Sequence, residues 1–524
     1  MNKNLFGTKK KTAKYSTAVN LAGGIAYDTG AEHSLAQYAC TGTFNGTFYA
    51  SAKDEMTKVI ELANQVSPTF LAKCAVYSRK YGHMKDMPAV LLAVLSSRDS
   101  ELFKQTFPQV CTNGKMVKNF VQVMRSGVTG RSSLGSAPKK AISAWLSSSS
   151  NDYLMKQSVG NDPSLADVIK MVHPSPKDKE TENFYGYLLG KGYDKRKKYP
   201  EIVTLYENFK NGTPDERFVP DLPFQMLSSQ KLTSSEWTKI ALNGAWQFTR
   251  MNLNNFNKYG VFQQPEMTAL LAARLVDKKS IEQAKVFPYQ LFQAYRNTAD
   301  VPRAISNALQ EAMDISVENI PEVNTTVHIG VDSSGSMRCA AVDSFSHKGQ
   351  PVSCVEVAGI IASSLFRAND SAHVYTFDTS CVEVKLNPRD SIISNTRILA
   401  KNGGGTDCSS FLRKLNETQA KGDLVVMVSD NESWASFSGG MYRYYTGGSP
   451  TQFNDSWALY KKRNPKAVLV CIDLTPGTTA QAVGKDVLLV GGFSDNVFSV
   501  ISKFLESGGD SSFWVNEINK AIEL

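Results

Sequence analysis

At 524 residues with 42% hydrophobic side chains, the chain is long enough for two or more domains and apolar enough to bury large cores. No run of about 18 apolar residues occurs, which excludes a transmembrane helix, and eight scattered cysteines (Cys40, Cys74, Cys111, Cys339, Cys354, Cys381, Cys408, Cys471) without a C-x-x-C pair argue against zinc and against a disulfide framework, fitting a reducing cytoplasm. The net charge of +9 is uneven: residues 1–325 carry 40 Lys+Arg against 29 Asp+Glu, residues 326–524 carry 18 against 20, so the basic surface belongs to the first part.

The N-terminus, through Lys14, is basic and lacks an apolar signal region, which predicts a flexible arm over residues 1–18. The segment Val19–Ala50, rich in Gly, Thr and aromatics, resists assignment. From about residue 55 to 318 apolar residues recur at i, i+3, i+4 spacing. Helices are predicted at Glu55–Ala63, Thr69–Lys80, Met87–Ser96, Lys115–Arg125, Pro138–Ser147, Ser164–Met171, Ser235–Asn252, Glu266–Leu275 and Pro302–Ile315. Asp86 reads as the N-cap of the third of these. Successive helices without strands between them predict an α-solenoid of HEAT type, although no strict sequence period is visible.

Residues 102–151 hold Lys104, Lys115, Lys118, Arg125, Arg131, Lys139 and Lys140 and no acidic residue. Solvated helix faces usually mix signs, so a one-sign block predicts an anion-binding surface, with nucleic acid as its partner. A solubility patch is the competing reading. Lys139 and Lys140 follow Pro138 at a predicted helix start, and Arg131 lies in the loop before it, where backbone N–H groups and cations can share a phosphate. His173, beside Lys170 in Lys170-Met-Val-His-Pro174, is either a turn residue or a base-stacking one. Arg250, Asn252 and Asn254, near Trp246 and Phe248, fit base recognition but are better explained as polar links between helices. The run Lys191–Lys198 is a basic loop.

From about residue 325 the pattern becomes α/β. Strands are predicted at Thr326–Val331, Ala372–Phe377, Leu424–Ser429, Ala467–Ile472 and Val487–Val490, with helices at Val355–Arg367, Ser409–Leu415 and Val497–Leu505. This alternation predicts a parallel, doubly wound sheet with ligands at its strand C-termini. Asp332, Ser334 and Ser336 follow the first strand as Asp-x-Ser-x-Ser, Thr406 follows a glycine run, and Asp430 ends a strand. Two carboxylates and three hydroxyls converging there would suit a divalent cation, Mg²⁺ for preference. Asp407 and Glu432 adjoin the motif, and Asp473 is read as structural. No Ser-His-Asp, Walker or H-E-x-x-H arrangement is present, and no second carboxylate cluster suits a two-metal nuclease.

The order Asp-x-Ser-x-Ser, Thr, Asp resembles the metal-ion-dependent adhesion site of von Willebrand factor A domains. With a basic helical domain before it, the chain resembles the Ro autoantigen family, a TROVE module joined to a von Willebrand A-like module. Carrying the likeness are Asn20-Leu-Ala-Gly-Gly-Ile-Ala-Tyr27, Thr41-Gly-Thr-Phe-Asn-Gly-Thr-Phe-Tyr-Ala50, Lys85-Asp-Met-Pro88, Gly130-Arg-Ser-Ser-Leu-Gly-Ser-Ala-Pro-Lys-Lys140, Asp167–Pro174 with its Val172-His-Pro174, Thr249-Arg-Met-Asn-Leu-Asn254, Gly404-Gly-Thr-Asp-Cys408 and Ser429-Asp-Asn-Glu-Ser433. Their wording is closer to bacterial and phage members than to animal ones.

The resemblance implies an α + α/β protein: a TROVE ring of HEAT-type repeats over residues 19–322 and a von Willebrand A domain over 323–524. It implies a non-enzymatic, cytoplasmic, monomeric ring that binds Y RNA on its outer face and single-stranded 3′ ends of misfolded RNA in its hole. Polynucleotide phosphorylase or another 3′-exonuclease is the implied protein partner, in RNA quality control, and no membrane is involved. On this reading Arg125, Arg131, Lys139, Lys140, Lys170 and His173 contact RNA. The alternative is a protein-binding module that acts through the metal motif.

Overall fold

The computed structural model describes residues 17–19, 25–28, 30–41, 52–160, 162–298, 300–338, 352–400, 403–430, 435–438, 441–444, 453–474, 479–480, 486–491, 497–506 and 513–524. The predicted arm over 1–18 lies outside them up to residue 16, and its last two residues belong instead to a strand, Thr17–Val19; the Thr-Gly-Thr-Phe-Asn-Gly-Thr-Phe-Tyr-Ala stretch beyond Thr41 and Glu432 also lie outside them.

Helices fill the chain up to about residue 320. They are α1 (Ala31–Thr41), α2 (Ala52–Gln65), α3 (Pro68–Lys80), α4 (Asp86–Arg98), α5 (Ser100–Val110), α6 (Gly114–Arg125), α7 (Ser136–Ser148), α8 (Asn151–Gln157) and α9 (Leu165–Val172). There follow α10 (Lys179–Leu188), α11 (Glu201–Asn211), α12 (Phe224–Leu227), α13 (Ser234–Asn243), α14 (Trp246–Lys258), α15 (Pro265–Leu275), α16 (Lys278–Ala284), α17 (Pro288–Arg296) and α18 (Arg303–Ser316). Local chemistry sets many of these starts. Ser67, Asp99 and Asn113 cap α3, α5 and α6 through their side chains, and Ser164/Asp167 and Thr233/Glu236 form capping boxes on α9 and α13. Along α3 to α7 each helix packs on a neighbour two places on (α3 on α5, α4 on α6, α5 on α7), and α7 continues to α9. That is the contact pattern of a stacked solenoid.

Two helix expectations change. The predicted helix Ser235–Asn252 is two helices, broken at Gly244, because a Cβ there would lie 2.3 Å from the Phe248 ring and the backbone turns extended (ψ 136°). Arg274 takes the freed carbonyls of Ala241 and Leu242 at 2.7 and 2.9 Å. Asp86 is not a cap: it is the first residue of α4, and its Oδ1 accepts from Asn119 Nδ2 at 2.9 Å, tying α4 to α6.

The strands are β1 (Thr17–Val19), β2 (Ile25–Asp28), β3 (Val327–Asp332), β4 (Ala372–Phe377), β5 (Cys381–Val384), β6 (Leu424–Ser429), β7 (Ala435–Ser438), β8 (Met441–Tyr444), β9 (Val468–Asp473), β10 (Thr479–Ala480) and β11 (Val487–Gly491). Six form one sheet in the order β11-β9-β6-β3-β4-β5. It is parallel except for β5, which pairs antiparallel with β4 at the edge, so the all-parallel expectation fails at one strand. The remaining helices are α19 (Cys354–Ala368), α20 (Ile392–Leu399), α21 (Ser409–Glu417), α22 (Phe453–Arg463), α23 (Val497–Glu506) and α24 (Phe513–Ala521). β3, β6 and β9 are buried at every residue, as strands covered on both faces must be. Gly330 lets β3 pass α21: a Cβ there would sit 2.5 Å from the Phe411 ring.

The two ends of the helical array dock on this α/β domain. At one end α1 packs on α24 and β11, Lys73 Nζ reaches Asn519 O at 3.0 Å, and β2 pairs with β10. At the other, α17 packs on α19 and α18 on α20, with Arg296–Glu356 and Arg367–Asp314 ion pairs at 2.6 Å each. Beginning and ending on one domain, the helices close into a ring.

Candidate nucleic-acid face and oxygen-ligand site

β3 delivers Asp332 fully buried at its C-terminal end. Its Oδ1 accepts from Ser334 N–H at 2.8 Å and its Oδ2 from the Ser429 hydroxyl at 2.6 Å. Ser334 Oγ stands 3.3 Å from Ser336 Oγ. Asp430, just past β6, is buried, and its charge acts on Asp332: burial first, then Asp430, pushes the Asp332 carboxyl up to about 7. Two carboxylates in dry surroundings repel, and a cation between them would relieve the repulsion.

The Thr406 loop is clamped to the same turn. Gly403 N–H donates to Ser333 O at 2.8 Å and Gly335 N–H to Gly404 O at 3.0 Å. Gly403 must lack a side chain, because a Cβ would lie 2.7 Å from Asp378 Oδ2 and 2.8 Å from Ser333 O. Asp378 is the residue that sequence reasoning missed. It follows β4, one strand over from Asp332, and its carboxylate accepts from Gly404 N–H at 3.0 Å and Ser380 N–H at 2.8 Å. Burial works against its ionisation, but these hydrogen bonds prevail and hold its carboxyl below the usual range. Its position after a strand was a usable signal.

Thus Asp332, Ser334, Ser336 and Asp430 come together, and buried Thr406 is held on the adjoining loop. Asp407 turns elsewhere, to Ser409 N–H at 3.0 Å and Arg413 Nη2 at 2.8 Å. Among the described residues no three His, Cys, Asp or Glu side chains gather as a cation cage. The donors here are carboxylate and hydroxyl oxygens, which fit a hard divalent ion.

The cations predicted to meet RNA fall into two groups. Arg131, Lys139 and Lys140 surround the N-terminus of α7. Gly135 caps that helix with φ +73° and no side-chain hydrogen bond, and the first turn contains no acid. The Arg131 guanidinium lies 3.9 Å from the point a Gly135 Cβ would occupy. All three side chains are exposed and have no ion pair among the described residues. Helix N–H groups and unpaired cations are the groups from which anion sites are built.

The second group is Arg125, Lys170 and His173, on α6 and α9, which pack together. Arg125 stands 4.0 Å from Asp162 and Lys170 4.0 Å from Asp167. His173 ends α9 in the left-handed region (φ 51°, ψ 58°) with its N–H on Ile169 O at 2.9 Å, leaving the ring at the surface. α7 also packs on α9, so both groups belong to neighbouring helices.

Lys85 lies in a further cationic cluster. Burial, then Lys115, lowers its pKa, and His83 beside it is lowered by burial, then by Lys285 and Arg79. Lys285 comes from the end of α16, far along the array. Arg250 and Asn254 reach carbonyls of Gln290 and Asn297 at 3.0 and 2.8 Å and so link α14 to α17, whereas Asn252 bonds back within α14 to Phe248 O at 2.9 Å.

Residues 99–329 match the TROVE domain family model, and residues 326–446 match that of the Ro60 vWA domain. The RNA-binding protein RO60 of Deinococcus radiodurans is 22% identical, over 93% of this chain and 94% of that protein. The crystal structure of Deinococcus radiodurans RO (RSR) protein superposes with a TM-score of 0.64 at 18% identity, covering 91% of this chain and 100% of that one.

Proposed function

The chain is a Ro-like protein, a TROVE domain followed by a Ro60-type von Willebrand A domain, and from that premise we propose that it is an RNA-binding ring. The observation that carries the reading is the α7 N-terminus, where a helix start with no side-chain cap meets three exposed cations without an acid in its first turn. Phosphate oxygens accept from the first-turn N–H groups, while Lys139, Lys140 and Arg131 neutralise neighbouring phosphates. Arg125 and Lys170 extend the track over α6 and α9, and His173 offers a ring for stacking or a hydrogen bond. The ligand on this outer face is a small structured RNA of Y RNA type. Single-stranded 3′ ends of misfolded RNA enter the ring, and the complex scaffolds a 3′-exonuclease rather than cutting RNA itself.

A second reading is favoured by the C-terminal end of the sheet, where the central strands β3 and β6 finish. Asp332, Ser334, Ser336, Thr406 and Asp430 would hold Mg²⁺, leaving a position for a carboxylate of a protein partner. The ion supplies charge and an open coordination site, while the clamp through Asp378 fixes the Thr406 loop beforehand. The two readings use different domains and coexist.

The test is binding of an RNA hairpin with a single-stranded 3′ tail, for wild type and for Lys139→Ala/Lys140→Ala/His173→Ala. Tail-dependent binding that the triple variant weakens supports the RNA ring. Binding no tighter than that of an unrelated basic protein discards it.

A further inference from the structure

We infer that the cleft between the α11–α12 connection and the α13–α14 break seats one unpaired adenine of the RNA bound on the adjoining face, an inference that rests on the RNA-binding reading above. The cleft has a volume of about 520 Å³, within the range of small-ligand pockets. Its apolar wall is Phe224, Phe248 and Met251. Phe248 is wedged by Phe224 at 5.6 Å and Phe256 at 5.9 Å, at interplanar angles of 64° and 60°. Met251, 69% exposed, stands at the rim.

The cleft exists because the helix breaks. Gly244 has no Cβ to collide with Phe248, so the ring folds back and the space between α12 and α14 stays open. Prolines at 220 and 223 stiffen the opposite wall.

Apart from the Lys156–Asp221 pair, the polar lining is amide. Gln225 and Asn243 line the cleft, and their side chains make no hydrogen bond among the described residues. Asn255 donates to Asn252 Oδ1 at 3.0 Å, which fixes its orientation. A carboxamide offers one donor and one acceptor side by side, the complement of the N6 and N7 edge of adenine. Aromatic wall plus amide edge is how unstacked bases are read in single-stranded RNA.

The mouth connects to the cationic face. Lys156 of α8 lines it, paired with Asp221 at 2.6 Å; Asp221 is 92% exposed, so the pair is weak and a phosphate can replace the carboxylate. α8 is fastened to α6, which carries Arg125, through Lys118 Nζ on Gln157 O at 3.1 Å and on Val159 O at 2.6 Å. A strand that continues from α6 onto α8 would reach Lys156 and the mouth of the cleft.

The experiment is an abasic scan of an adenosine 3′ tail on an RNA hairpin, with affinities measured on the full chain. Wild type is compared with Gln225→Ala/Asn243→Ala, both exposed positions, and with Met251→Trp, which fills the mouth. One abasic position should weaken wild type by about tenfold and leave both variants unaffected, and both variants should bind the intact tail about tenfold more weakly than wild type. RNA binding in which every abasic position costs the variants as much as wild type overturns the cleft and leaves the RNA reading intact. Failure of wild type to bind RNA at all overturns both.

Discussion

Lys139→Ala/Lys140→Ala should change the salt dependence of RNA binding, not only its strength. Counterion release gives a slope of log K against log salt of roughly −0.9 per neutralised phosphate on a duplex. If Arg125, Arg131, Lys139, Lys140 and Lys170 each meet one phosphate, the slope is roughly −4.5, and affinity falls about 500-fold between about 50 and 200 mM salt. Removing two lysines leaves roughly −2.7 and about a 40-fold fall. The structure sharpens this. Arg125 and Lys170 already see carboxylates at 4.0 Å, whereas Lys139 and Lys140 have no ion pair among the described residues. The two lysines therefore account for nearer half of the slope. Filter binding or fluorescence anisotropy across a salt series measures it. An unchanged slope with affinity lowered equally at every salt concentration would refute the phosphate-contact reasoning.

Mg²⁺ should raise the thermal unfolding midpoint of wild type, by about 2.7 kcal/mol of stability at 100 times its Kd, but not that of Asp430→Asn; without metal the variant should be the more stable, because the repulsion on Asp332 is gone. Scanning fluorimetry with Mg²⁺ and with EDTA separates these outcomes. Burial lowers the pKa of His328, whose Nε2 lies 3.0 Å from Lys421 O. The folded chain thus takes up its proton at lower pH than the unfolded one, so stability is full above the unfolded value of about 6.5 and declines as pH falls below it. His328→Gln should flatten that decline in denaturant titrations. Gly330→Ala should destabilise by about 1–3 kcal/mol through overpacking on Phe411, and Phe411→Leu should recover part of the loss when combined with it; additive losses would count against the contact.

Much of the α/β domain was legible because its strands are short apolar runs ending in polar ligands. Ala372–Phe377 and Leu424–Ser429 fall where periodicity places them, and the Asp-x-Ser-x-Ser turn announces its own location. What escaped depends on partners distant in sequence. β5 is an exposed edge strand that has no apolar alternation to display. Asp86 has the composition of a cap, but Asn119 of α6 claims its carboxylate. The break at Gly244 is decided by the Phe248 ring, and a lone glycine in an amphipathic run does not reveal which side chain stands over it. The cations of the α7 start were visible as a block without acids. Which of them are already paired required Asp162 and Asp167 to be placed.

The closed ring also has a history during synthesis. Lys73 waits for Asn519, 446 residues later, and β2 waits for β10. At roughly 5–20 residues per second a ribosome needs about 20–90 s to cover that interval. Throughout it, the faces of α1 and α3 that will meet α24 have no native neighbour, though the helices behind them can already stack. α24 is therefore the latch for α1 and α3, and a nascent chain stalled before it would present an open solenoid with one uncovered end.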